Sequence, residues 1–190
     1  MGGDLGTPVT TGATTALDVN TGDYDQTGGG LGVAKKSDQV QFAQVTRSGN
    51  FDVAVRLDGL SGGKGNRPHA GLMARSTLDP TAANIFLNVQ GGKKGTAVLR
   101  LSHRDADGGK LVAGPKISVA TLAGAWLRLS RTGDTFTAYT STDGTTWNQV
   151  GTVAVTMPAD IPVGLVTTAG SRKGPTATAQ FRAFGDVTGG

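Results

Sequence analysis

The chain has 190 residues, a length that fits one domain and leaves no room for a second full one. All 14 acidic residues are Asp, and the sequence contains neither Glu nor Cys. The missing Cys excludes disulfides, thiol nucleophiles and cysteine metal sites, while the missing Glu leaves only Asp to supply the carboxylate pair of a glycosidase.

The 31 Gly and 7 Pro stay below the share that marks a disordered chain. With Thr at 26 positions and no Glu, strands are favoured over long helices. The net charge of +4 divides unevenly. Residues 1–34 hold four Asp and no base, a sum of −4, and the remainder carries 18 bases against ten acids, or +8. The bases are dispersed, in runs no longer than two such as Lys35-Lys36 and Lys93-Lys94. They read as a solvated basic surface, and no nucleic-acid partner is expected. No apolar run approaches the roughly 20 residues of a membrane span, so no membrane span is expected. The start shows no signal-peptide pattern, and Gly6 stands where a myristoylation signal needs Ser or Thr.

In chain order, residues 1–34 read as a Gly/Thr-rich acidic N-terminal arm or edge strand, and residues 35–187 as a β-sandwich domain. Strand patterns begin at 39–45, around Val40 and Phe42. Phe51, Val53, Val55 and Leu57 then alternate with Asp52, Ala54, Arg56 and Asp58, the period of a strand with one buried face. Residues 59–68 read as a flexible Gly loop. Strands follow at 70–75, 84–90, 96–103, 116–120, 125–131, 135–141, 146–155, 161–168 and 176–184. Asp107-Gly108 and Asp143-Gly144 carry the signal of type I′ hairpins, and Gly133-Asp134 that of a tight turn. One helical turn fits at 79–83, with Asp79 as cap and Pro80 first inside. Many short antiparallel strands with such turns predict an all-β sandwich or barrel.

Several motifs reduce to structure. Gly59-Leu60-Ser61-Gly62-Gly63 matches a nucleophile elbow, but no helix-forming segment follows it. Gly63-Lys64 is followed by Gly65 where a phosphate loop requires Ser or Thr. Ser141-Thr142-Asp143-Gly144-Thr145-Thr146-Trp147 is one residue short of a sialidase Asp-box and reads as a turn with Trp147 packed back across the hairpin. Asp23-Tyr24-Asp25 and Asp105-Ala106-Asp107 could present oxygens to Ca²⁺, but neither supplies the required 6–8 ligands. They read as surface turns, and no cofactor is expected.

The stretch from Trp126 to Trp147 resembles concanavalin A-like jelly-roll modules of the DUF1349 or LamG-like kind. So do Gly49–Leu60 and the Ala70-Gly71-Leu72-Met73-Ala74-Arg75 strand before it, with Val163-Gly164-Leu165 and Phe181 following in order. The resemblance covers about residues 30–187. It implies an antiparallel β-sandwich of the concanavalin A-like type, non-enzymatic, at an extracellular or surface location, with a polysaccharide or glycan as partner.

Strand parity locates a second face. With Ile85, Leu87 and Val89 inward, Asn84, Phe86, Asn88 and Gln90 point the other way. With Leu127 and Leu129 inward, Trp126, Arg128 and Ser130 point out, as do Thr137, Tyr139 and Ser141 opposite Phe136 and Ala138. Aromatic rings stack on sugar faces, and amides and Arg bind hydroxyls. The candidate ligand-binding residues are Asn84, Asn88, Gln90, Arg104, Arg128 and Tyr139. Two alternatives accompany this reading. One is a self-assembling homo-oligomer, a structural subunit of a layer, filament or virion in which acidic arm meets basic body. The other is a polysaccharide-active enzyme using two Asp.

Overall fold

A computed structural model describes residues 2–34, 36–63, 68–91, 97–119 and 121–187. Among them lie sixteen strands and no helix: β1 (Gly2–Leu5), β2 (Ala13–Asp18), β3 (Asp23–Gly28), β4 (Gly32–Val33), β5 (Asp38–Ser48), β6 (Phe51–Gly62), β7 (His69–Arg75), β8 (Asn84–Gly91), β9 (Ala97–Arg104), β10 (Val112–Ala113), β11 (Ile117–Val119), β12 (Ala125–Thr132), β13 (Thr135–Ser141), β14 (Asn148–Ala154), β15 (Asp160–Thr168) and β16 (Ala177–Asp186).

The strands form two antiparallel sheets. One runs β1-β5-β15-β7-β8-β9-β10, with β4 beside β5 and β11 beside β9; the other runs β14-β13-β12-β6-β16-β3-β2. Residues 2–34 feed both sheets. β1 pairs with β5, and β3 lies between β2 and β16. Between the sheets sits the main core, including Val53, Val55, Leu57, Leu72, Ile85, Leu87, Val89, Leu127, Leu129, Phe136 and Phe181. This is the inward set that period-2 alternation predicts. A smaller apolar layer of Leu5, Val40, Phe42, Met73, Phe86 and Val166, packed with Val33, lies on the opposite face of the nine-stranded sheet. That sheet is therefore covered on both faces around β7 and β8, whose side chains are almost all buried.

Local expectations need two corrections. Ser61 lies inside β6, paired with Thr178 of β16, so Gly59–Gly62 is strand and not the start of a loop or elbow. Residues 64–67 of the expected loop, together with Lys35, Lys93-Lys94, Thr96 and Ala120, lie outside the described residues. At 79–83 the chain makes a single turn, closed by Ala82 N–H donating to Asp79 O at 2.9 Å, with Asp79 Oδ1 accepting from Thr81 N at 2.7 Å. Neither Asp-Gly turn is type I′, which needs positive φ at both central residues. Gly108 (69°) and Gly144 (76°) have it, but the one non-glycine residue with positive φ among those described is Ala183. Asp143 instead acts through its side chain, its Oδ1 accepting from Thr145 N (2.8 Å), Thr146 N (2.7 Å) and Ser141 Oγ (2.8 Å). These bonds hold its carboxyl far below the usual carboxylate range.

Candidate functional site

The outer face of β7, β8 and β9 carries a groove of about 140 Å³. Its floor follows from pleat and register. Leu99 and Leu101 go into the core, so Val98, Arg100 and Ser102 share the outward face with Phe86, Asn88 and Gln90 of β8 and His69 of β7. One wall is Leu31–Val33 of the segment bearing β4, and the other is Leu111 and Ala113 at β10. Asn88 is 5% exposed, and its Nδ2 donates to Phe86 O (3.3 Å) and Arg100 O (3.1 Å). Both amide hydrogens are thereby used, so Asn88 can offer a ligand only an acceptor.

The wall at β4 is fastened from below. Asp38, fully buried, accepts from Arg75 Nη1 (2.6 Å), Arg104 Nη2 (2.7 Å), Arg104 Nη1 (3.2 Å) and Asn84 Nδ2 (3.3 Å). Arg104 also donates to Ala34 O (2.8 Å) and Ala82 O (2.9 Å), while Arg75 donates to Asp79 O (2.6 Å) and Thr77 O (3.2 Å). Two guanidinium groups thus share one carboxylate and tie residue 34, β5 and the 77–82 turn to the sheet. Burial pulls the Arg75 pKa below the ordinary arginine value, and Asp38 opposes that shift.

The outer face of the seven-stranded sheet differs. Arg128 Nε and Nη2 donate to Asp52 at 2.8 and 2.5 Å, and its guanidinium lies 5.1 Å from the Tyr139 ring centre and 5.3 Å from that of Trp147. The hydrogen bond to Asp52 raises the Arg128 pKa. Arg56 repeats the arrangement, forking to Asp58 at 2.6 and 2.9 Å and lying 5.9 Å from the Trp126 ring. Gly144 packs against that indole; a Cβ there would approach it to 2.8 Å. The planar groups of this face largely satisfy one another.

The six residues read from the sequence therefore do not form one site. Asn88 and Gln90 line the groove. Asn84 and Arg104 share its sheet face but are fully buried in the Asp38 cluster, where no ligand in solution reaches them. Arg128 and Tyr139 sit on the other sheet, facing the opposite way. The groove residues that sequence reasoning missed are His69, Arg100 and Ser102. For Arg100 and Ser102 a signal exists, because they alternate with Leu99 and Leu101. The turn aspartates serve the protein itself. Asp23 accepts from Ala183 N and Asp25 from Arg182, while Asp105 pairs with His103 and Asp107 accepts from Ala83 N. Among the described residues no group of three His or Asp could hold a metal ion.

No protein-family model matches the chain, and no curated protein matches it by sequence. Solved structures do match. A protein of unknown function from Saccharomyces cerevisiae superposes with a TM-score of 0.72 at 14% identity, over 96% of this chain and 99% of that one. The carbohydrate-binding module CBM66 from Bacillus subtilis gives 0.51 at 16% identity, over 91% and 94%. A legume lectin-like domain from Entamoeba histolytica gives 0.53 at 11% identity, over 93% and 90%. Against the GH43 BlXynB protein from Bacillus licheniformis and a xylan β-1,4-xylosidase from Bacillus halodurans the chain spans only about a third of their length. At these identities the likeness is one of fold. The chain is an antiparallel β-sandwich of the concanavalin A-like type.

Proposed function

We propose that this chain is a non-catalytic module that binds carbohydrate through the groove over β7, β8 and β9, at an extracellular or surface location. The observation that carries the reading is the groove itself. Amide, hydroxyl, imidazole and guanidinium groups stand on a rigid strand floor between two walls, beside apolar surface from Phe86, Leu31 and Val33. Sugars present that same mixture of hydroxyls and apolar ring faces. Two similar sandwiches bear the names of a carbohydrate-binding module and a lectin-like domain, which supports the same reading. Among the described residues no Asp lines the groove, and the side chains there offer contacts for binding.

The test is a glycan array with insoluble-polysaccharide pull-downs, run on the wild type and on Ala113→Trp. Ala113 is exposed on the groove wall, so the indole fills the groove without entering the core. The expected result is a defined set of glycans bound by the wild type and lost by the variant at unchanged melting temperature. A blank array, or binding indifferent to Ala113→Trp, overturns the proposal.

A second reading, self-association, is favoured by one place on the surface. Where the two sheets end at edge strands β1 and β2, a cavity of about 290 Å³ opens, lined mainly by Ala16, Val19, Tyr24, Val45, Leu165 and Phe184. Val19 is 66% exposed and Val45 40%. Exposed edges beside apolar surface are pairing sites.

A further inference from the structure

Arg100 stands apart from the other arginines. Among the described residues, every other arginine that is not fully exposed has a carboxylate within 4 Å: Arg47 has Asp186, Arg56 has Asp58, Arg75 and Arg104 share Asp38, Arg128 has Asp52, Arg131 has Asp134 and Arg182 has Asp25. Arg100 is partly buried in the groove, and its guanidinium has neither an ion pair nor a hydrogen bond among these residues. Among the described residues no carboxylate lines the groove. A guanidinium in a groove without a counter-charge is open to a ligand anion, and its planar fork matches carboxylates and other oxyanions.

The neighbouring groups suit the same ligand. Ser102 and His69 stand on the same face of the floor, and Asn88, with both amide hydrogens used, keeps an acceptor to offer. The volume of about 140 Å³ is below the roughly 300–1,000 Å³ of pockets for drug-sized ligands, so the enclosed part of the groove suits a single sugar ring.

We infer that the ligand of this groove is an anionic saccharide, a sugar unit bearing a carboxylate or a sulfate, and that Arg100 holds the anionic group. The inference rests on the proposal that the groove binds carbohydrate. It adds that charge, and not ring stacking, selects the ligand. Coulombic recognition at a partly open site weakens as salt screens it.

The test compares wild type, Arg100→Gln and Ala113→Trp on an array with uronate-bearing, sulfated and neutral glycans, at low and high salt. Gln keeps the backbone carbonyl that accepts from Asn88, and each variant's melting temperature checks its fold. The expected result is that wild-type hits are confined to anionic glycans and weaken with salt, with uronate and sulfate arms showing which anion is read. Arg100→Gln should lose them by about tenfold or more. If instead neutral glycans bind, survive Arg100→Gln and vanish with Ala113→Trp, the anionic assignment is overturned while carbohydrate binding stands. A blank array, or hits indifferent to Ala113→Trp, overturns both.

Discussion

Asp38→Asn tests the internal framework of the site. The carboxylate is fully buried and is the one acid among four donors, two of them guanidinium nitrogens within 2.7 Å. The amide removes the charge that two buried arginines share. It also turns one acceptor into an N–H group facing other donors. Breaking a buried ion pair from one side costs about 3–5 kcal/mol. For a domain of this size each kcal/mol lowers the melting temperature by about 2–4 °C, so the expected drop is about 6–20 °C. Asp52→Asn is the internal comparison. Asp52 is 32% exposed and its partner Arg128 23%, so that pair is solvent-screened and its loss should cost no more than about 1 kcal/mol. Scanning calorimetry on both variants reads the difference. Because Arg104 joins Asp38 to Ala34, Asp38→Asn should also loosen the wall at β4, seen as faster amide exchange at residues 31–34. A drop under about 2 °C, or one no larger than that of Asp52→Asn, would refute the view that the cluster fastens the groove.

Asp143 supplies a pH-dependent contribution of known sign. Its folded pKa lies below the ordinary carboxylate value because it accepts from Thr146 N, Thr145 N and the Ser141 hydroxyl. The stability it adds is present above the unfolded pKa of about 3.9 and is lost as pH falls toward the folded one. The melting-temperature gap between wild type and Asp143→Asn should therefore be largest near neutrality and shrink below pH 4; a constant gap would contradict the assignment. Self-association at β1 and β2 predicts oligomers in light scattering that Val19→Asp removes, and a wild-type monomer at high concentration would rule it out. Substitution is the cleaner test than deleting residues 1–34, which would remove β1 to β4 and strip β16 of its neighbour β3.

Strand parity carries much of the fold. Period-2 alternation in 51–57, 84–90 and 125–131 correctly separates core from outward residues, because a strand face is a local property. Parity does not say which sheet a strand joins. Asn88 and Arg128 both point away from the core, yet their strands belong to opposite sheets, so grouping them into one ligand face fails. Arg104 shows the other limit. It alternates outward like Arg100, but the segment that buries it comes from residues 34–38, some 70 positions away in the chain. Nothing local in 97–104 marks that contact. The Asp-Gly turns fail for a related reason, since Asp143 spends its side chain on the backbone of Thr145 and Thr146 and keeps negative φ.

The most direct test of the account is chemical-shift mapping with the strongest glycan from the array, on ¹⁵N-labelled protein. Binding in the groove predicts perturbed amides at Val33, Asn88, Arg100, Ser102 and Ala113, with Trp126, Tyr139 and Trp147 unmoved. Perturbations confined to Tyr139, Trp147 and the strands around Arg128 would contradict it and move the site to the other sheet.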